Sequence, residues 1–229
     1  MPARSHDRIF LLALTVIYFA LMMAGGTNVK IAFQVPHDPA TAVAFVVQHN
    51  GAIRWGSFLE LVSAIPLGLF MAVSLSRMRV FGVGTASEQI AALGAIAAPM
   101  MIAGSAMATW SLTRPGVVAA PGAVAVLQAI GFDGGGPGFA VFLGLFMAGL
   151  SVSAGSGKLI PRWLMWFGMV VAAAGELSSL TLVNFTAGYF IPVARFLSIF
   201  WMLALAMNLP VAVPARGEGD IERATVSTI

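Results

Sequence analysis

Six apolar runs dominate this chain, and each is long enough to cross a lipid bilayer as a helix. A hydrocarbon core of about 30 Å needs roughly 20 helical residues. Lipid offers no hydrogen-bonding partner to an open backbone, so such runs fold as helices that satisfy their backbone groups internally. The runs are Ile9–Gly26, Ala52–Ser76, Ile90–Trp110, Pro137–Ala154, Pro161–Val183 and Tyr189–Leu209. The sequence therefore predicts an all-α polytopic membrane protein, with a bundle of six transmembrane helices over residues 1–215 and a disordered cytoplasmic tail at 216–229.

The composition supports this class and excludes several others. The chain is 59% hydrophobic and only 9% charged, whereas a soluble domain is about one quarter charged. It has no cysteine, and its three histidines lie outside the apolar runs, which excludes disulfides, thiolate metal sites and a bis-histidine haem within the bundle. The basic residues are scattered through loops and tails, so nucleic acid is not an expected partner. We expect no cofactor and no metal.

The distribution of lysine and arginine predicts the orientation, because cytoplasmic loops carry an excess of both. With the N-terminus inside, the inner segments hold Arg4, Arg8, Arg77, Arg79, Lys158, Arg162, Arg216 and Arg223. The outer segments hold only Lys30, Arg54 and Arg114. Both termini are therefore predicted to be cytoplasmic.

Two long loops are predicted on the outer side. In the first, Asp38 can cap a short helix that begins at Pro39 and runs to His49. In the second, Gly116–Ile130 is apolar but too short to span, which favours an interfacial or re-entrant segment. The run Gly131–Gly138 that follows contains five glycines and a proline and is predicted to be a flexible turn.

Three ionisable residues, Glu60, Glu176 and Arg195, interrupt the predicted spans. Such residues cost several kcal/mol in hydrocarbon, and they persist where they are paired, face a cavity or are used. A short turn around Asn184–Gly188 makes the fifth and sixth spans an antiparallel hairpin, in which Glu176 and Arg195 both lie roughly 10–14 Å below the outer end. We therefore expect an ion pair between them, either as part of a binding site or simply as a lock on the hairpin.

Glu60 lies at a similar predicted depth in the second span. Ser57 and Ser63 are three residues to either side of it, so the three residues form one polar stripe. Arg54 points to nearly the opposite face of that helix. Glu60 therefore either shares Arg195 with Glu176 or is a neutral carboxyl group bonded to the backbone or a serine.

The remaining polar residues have structural interpretations. Glu88 completes a capping box with Thr85 at the start of the third span. His37, Asp38 and His49 match no common metal-ligand spacing.

An inverted repeat of two three-helix halves would place Glu60 and Glu176 at opposite depths in the membrane. The predicted topology places both near the outer side, so a transporter-type repeat is not expected.

The segment Ser156–Trp163 reads Ser-Gly-Lys-Leu-Ile-Pro-Arg-Trp and leads into the glycine- and alanine-rich Gly168–Gly175. Together with Arg54-Trp55-Gly56, this pattern resembles a bacterial family of six-helix inner-membrane proteins of unknown function. The resemblance covers Arg54–Ser76 and Phe142–Leu177. It implies six helices in a bacterial inner membrane but no activity, so no functional residue is transferred.

Three classes of function remain open from the sequence. The first is a membrane protein with an outward-facing polar pocket, formed by Glu60, Glu176, Arg195, Ser57 and Ser63, that binds or conducts a small polar or amphipathic molecule. The second is a structural or partner-binding subunit, whose small-residue helix faces dock other helices. Those helices could belong to a partner protein or to a second copy in an oligomer. The third is an intramembrane enzyme with Glu60 as general base, although no nucleophile, metal set or cofactor motif accompanies that residue.

Overall fold

Helices account for nearly all of the backbone that the structure describes, as the apolar runs predict. The structure, a computed structural model, describes residues 3–33, 38–81 and 86–210. These residues contain no strand, and six helical segments are long and apolar enough to cross a membrane. The predicted six-helix, all-α fold is confirmed. The predicted tail at 216–229, His37 and Thr85 lie outside the described residues.

Several spans extend beyond the apolar runs that predict them. The first span is α1 (Ala3–Phe33), the second α3 (Asn50–Val80) and the third α4 (Ala86–Ser111). The fourth is built from α6 (Pro121–Asp133), a π-helical segment (Gly134–Gly138) and α7 (Phe139–Ser156). The fifth is α8 (Arg162–Leu177), continued by a 3-10 turn (Ser178–Leu182), and the sixth is α9 (Phe190–Asn208), preceded by a 3-10 turn (Phe185–Tyr189).

The spans follow one another around a closed ring in chain order. α1 packs on α3, α3 on α4, α4 on α7, α7 on α8 and α8 on α9, and α9 closes the ring on α1. The interior holds large side chains such as Phe70, Phe146 and Trp201, all fully buried. The Trp201 indole N–H donates to the Leu164 carbonyl at 3.3 Å, which satisfies its polar atom within this apolar core.

Glycines allow the close helix crossings in this ring. A Cβ at Gly94 of α4 would fall onto the backbone of Phe142 and Phe146 in α7, and one at Gly149 of α7 would meet the Ser87 carbonyl of α4. The helices therefore touch backbone to backbone, as small residues permit in membrane bundles. The outer surface carries exposed large hydrophobic residues at mid-span on different helices, such as Ile65, Ile96, Val170 and Phe200, which is the surface that lipid requires.

The predicted flexible turn at Gly131–Gly138 is wrong. The segment stays helical, and Gly135, Gly136 and Pro137 are buried within a continuous helical segment from Pro121 to Ser156. Pro137 has no N–H to donate to the carbonyl four residues back. The chain widens locally into a π-helix instead of breaking, since tertiary contacts on both sides hold it in helical form.

Short helices cover the end of the bundle that the sequence predicts to be outside, which we call the outer end. Here α2 (Pro39–Gln48) confirms the predicted helix, and Asp38 caps it by accepting from the Thr41 N–H at 3.0 Å. α5 (Pro115–Val118) and α6 pack against α2. Their small hydrophobic core includes Ala42, Val46, Ile53, Leu112 and Val124.

Glu88 forms an ion pair with Arg79, and the predicted capping box with Thr85 lies outside the described residues. The Glu88 side chain is 5% exposed, and Oε1 accepts from the Arg79 Nε–H at 2.6 Å. The ion pair joins the end of α3 to the start of α4, so this carboxylate holds the two helices together at that end of the bundle.

Candidate functional site

Three ionisable side chains from three helices lie within electrostatic range of one another inside the bundle. Tyr18 comes from α1, Glu60 from α3 and Arg195 from α9. Tyr18 is 1% exposed, and Glu60 and Arg195 are half-buried. Arg195 interacts electrostatically with both Glu60 and Tyr18, and Glu60 also interacts with Tyr18. We call this group the buried polar cluster.

Each member of the cluster has a buried polar atom without a hydrogen-bond partner. These atoms are the Tyr18 hydroxyl oxygen, Glu60 Oε2 and Arg195 Nε. More than nine in ten buried polar groups in proteins are satisfied, so each exception requires an explanation. A hydroxyl, a carboxylate oxygen and a guanidinium N–H together present both donors and acceptors to the same region.

The π-helical segment supplies a backbone acceptor to the cluster. In a regular α-helix the Phe139 N–H would donate to the Gly135 carbonyl, but here it donates to Gly134, five residues back. The Gly135 carbonyl accepts instead from the Arg195 guanidinium. The guanidinium carbon also lies 5.0 Å from the centroid of the Phe139 ring. The local widening of the helix thus holds Arg195 in place.

Gly135 also sets the distance between the helices around the cluster. A Cβ at this position would collide with the Ser105 side chain and would lie 3.4 Å from Glu60 Oε1. Ser105 donates to the Gly131 carbonyl at 2.7 Å, which ties α4 to α6 just above. Glycine is therefore required where Glu60, Ser105 and Arg195 converge on one backbone segment.

Close packing of α1 on α3 at Gly25 turns toward α3 the face of α1 that also carries Tyr18, seven residues earlier. A Cβ at Gly25 of α1 would lie 3.2 Å from the Gly56 carbonyl and 3.3 Å from the Glu60 nitrogen. Since α1 contacts both α3 and α9, its inward face lies between Glu60 and Arg195. Tyr18 occupies that face.

Glu176 does not join the cluster. Its side chain is exposed, and its Oε1 lies 3.2 Å from the position that a Cβ at Gly144 of α7 would take. No ion pair links Glu176 to Arg195 within the part of the chain that the structure describes. The two residues lie in adjacent helices of the predicted hairpin, but Arg195 faces α1 and the π-helical segment. The structure does not show the predicted pair, because equal depth does not fix the direction in which a side chain points.

Ser57 and Ser63 are buried but bond to their own helix. The Ser57 hydroxyl donates to the Ile53 carbonyl at 2.8 Å, and the Ser63 hydroxyl donates to the Glu60 carbonyl at 2.7 Å. Both bonds are the common local alternative for serine in a helix. The structure thus places neither hydroxyl on the Glu60 carboxyl group.

Sequence reasoning missed Tyr18 and the Gly135 carbonyl. Tyr18 is one of two tyrosines in the chain, and its position in the middle of the first span was a usable signal, because tyrosine normally lies at membrane interfaces. Nothing in the sequence indicates that the Gly135 carbonyl accepts a hydrogen bond from a side chain. The three consecutive glycines before Pro137 indicate a departure from regular helix without showing which acceptor it frees.

The cluster can hold a polar molecule or a proton, and within the described residues no group of three or more His, Cys, Asp or Glu residues could hold a metal ion. No family model, curated protein or solved structure matches this chain.

Proposed function

We propose that this protein is a bacterial inner-membrane protein that binds or conducts a small polar molecule at the buried polar cluster. The supporting observation is that Tyr18, Glu60 and Arg195, which interact electrostatically inside the bundle, each have a buried polar atom without a hydrogen-bond partner. Ionisable residues inside a membrane bundle mark substrate or proton pathways by default. The lysine and arginine bias and the family resemblance support the inner-membrane location.

The three free atoms define the chemistry of the ligand. Glu60 Oε2 is open to a donor, Arg195 Nε–H needs an acceptor, and the Tyr18 hydroxyl can act as either. The matching ligand carries a donor and an acceptor close together, as a hydroxyl, a carboxamide or a hydrated proton does. Phe139 beside Arg195 gives the site one apolar wall, which suits a small amphipathic molecule.

The elements above the cluster favour access from the outer end. α6 continues directly into the π-helical segment and contacts α2, α4 and α1. It is bonded to α4 through Ser105 and the Gly131 carbonyl. A movement of α6 would therefore displace Gly135, whose carbonyl holds Arg195, and would couple opening of the outer end to the site.

The test is to identify what the purified protein carries. The protein is extracted into lipid nanodiscs, and small molecules released from it are compared by mass spectrometry between wild type, Glu60→Gln and Tyr18→Phe. Glu176→Gln and Tyr189→Phe serve as matched controls, since Glu176 and Tyr189 are exposed. We expect one polar species in wild type and both controls and its depletion in both cluster variants, with cryo-EM density between Tyr18 and Glu60.

Identical extracts from all five proteins, together with a cluster region filled only by side chains, would contradict the proposal.

A second candidate function is a structural subunit without ligand, which is favoured by the hydrogen bond from Arg195 to the Gly135 carbonyl. It predicts that Tyr18→Phe, Glu60→Met and Arg195→Met combined leave stability unchanged or higher, because well-packed apolar residues commonly replace buried charges without loss.

A further inference from the structure

A lipid-facing groove lies between the outer halves of α3 and α4, on the far side of α3 from the buried polar cluster. Its volume is about 730 Å³. The walls include Trp55, Phe58, Met107 and Trp110. Trp55 is 65% exposed, Phe58 52% and Met107 55%, so these rings and chains are open to the membrane.

The groove exists because α3 and α4 contact each other at its inner end, below, and at its outer end, above, and leave a gap between these two levels. Below, Gly68 packs against Pro99, with 3.6 Å between a Gly68 Cβ position and the Pro99 ring. Above, the Asn50 side-chain amide donates to the Thr113 carbonyl at 3.2 Å. Between these levels Gly51 and Ala106 line the groove and offer little bulk.

Two arginines lie at the outer mouth of the groove. Arg54 is part of its lining. The Arg114 guanidinium carbon lies 4.8 Å from the centroid of the Trp110 ring, and Trp110 forms the opposite wall. Both arginines are exposed, and in the predicted orientation they are two of the three cations on a side that is otherwise depleted of them.

We propose that this groove binds an anionic phospholipid, with an acyl chain along the aromatic walls and the phosphate between Arg54 and Arg114. The walls match a hydrocarbon chain, and the guanidinium groups match a phosphate in charge and hydrogen-bond geometry. Contact with Trp110 restrains Arg114 before the lipid arrives. A groove that only contacted bulk lipid would need no cation at its mouth.

Tryptophan fluorescence can test the proposal, because two of the five tryptophans line the groove. In a Trp163→Phe, Trp166→Phe background, the remaining fluorophores are Trp55, Trp110 and the fully buried Trp201. The full-length protein is placed in phosphatidylcholine vesicles that contain a small fraction of brominated phosphatidylglycerol or, for comparison, of brominated phosphatidylcholine. Bromine quenches a tryptophan only at short range.

We expect the anionic quencher to be preferred, with each arginine contributing about a fivefold preference. Arg54→Gln combined with Arg114→Gln removes the preference, whereas Arg162→Gln, an exposed arginine near the inner end, retains it. Equal quenching by both brominated lipids in the parent protein would overturn the proposal. So would a preference that survives in the Arg54→Gln, Arg114→Gln variant, or quenching by neither lipid together with a dimer mass, which would show a second copy in the groove.

Discussion

The partner of each ionisable residue in this bundle depends on the direction in which its side chain points. Glu60 and Glu176 are both carboxylates within spans, yet Glu60 meets Arg195 and Tyr18 while Glu176 lies exposed beside Gly144. In low-dielectric surroundings a charge interacts strongly with a nearby opposite charge, and the interaction weakens with distance and with the access of water. The energetic partner of Arg195 should therefore be Glu60.

A pair of double-mutant cycles measures this difference at the residue scale. Glu60→Gln and Arg195→Met should be coupled by about 0.5–3 kcal/mol, with the double variant less destabilised than the sum, because the loss of Arg195 is most costly when Glu60 is acidic. Glu176→Gln and Arg195→Met should be additive to within about 0.5 kcal/mol. The measurement is reversible unfolding in mixed detergent micelles. Strong coupling in the second cycle would restore the hairpin ion pair predicted from the sequence.

At the scale of helices, glycine positions decide which elements can approach each other. Gly94 and Gly104 both lie in α4, and sequence alone gives them the same small-residue character. Gly94 lies against the backbone of α7, whereas a Cβ at Gly104 would meet nothing within 4 Å. The same substitution should therefore have opposite effects at the two positions.

The prediction for this element concerns alanine at each site. Gly94→Ala should lower the free energy of unfolding by about 1–3 kcal/mol, because an extra methyl group forces α4 and α7 apart. Gly104→Ala should raise it by up to about 1 kcal/mol through helix propensity. Thermal melting of both variants in the same detergent compares them directly. Equal destabilisation at both positions would show that α4 and α7 do not cross as described.

At the scale of the whole molecule, contact between the first span, α1, and the last span, α9, closes the ring. α1 fills the gap between α3 and α9, and without it the buried polar cluster would lose Tyr18 and be opened to lipid. The ring therefore depends on the close contact of α1 with α3 near Gly25, where a Cβ would lie 3.3 Å from the Leu59 Cβ.

Disulfide crosslinking tests this closure, and the absence of cysteine from the chain makes introduced pairs unambiguous. Gly25→Cys with Leu59→Cys should form a disulfide on mild oxidation, since Cβ atoms in disulfides lie about 3.8 Å apart. Gly26→Cys with Leu59→Cys should not, because a Cβ at Gly26 has no neighbour within 4 Å. Gel mobility before and after reduction gives the result. Crosslinking of the Gly26 pair alone would mean that α1 is rotated on α3.

Much of the fold and part of the site could be predicted from the chain alone. The six spans and the Asp38-capped α2 followed from hydropathy, length and capping chemistry, which act locally. Glu60 and Arg195 were recognised because ionisable residues in hydrocarbon are costly wherever they point. Tyr18 was overlooked, and Glu176 was placed in the site because depth along a helix was known while rotation about its axis was not.

The amino-acid sequence by itself determined that this chain is a six-helix membrane protein, since lipid enforces helical hydrogen bonding on any long apolar run. Only the tertiary structure decided that the spans close into a ring in chain order and that Gly131–Gly138 stays helical with a π segment. It also decided that Arg195 meets the Gly135 carbonyl, Glu60 and Tyr18 instead of Glu176. The physical reason is that contacts between helices depend on which faces pack together, and glycine-to-backbone contacts far apart in the chain select those faces.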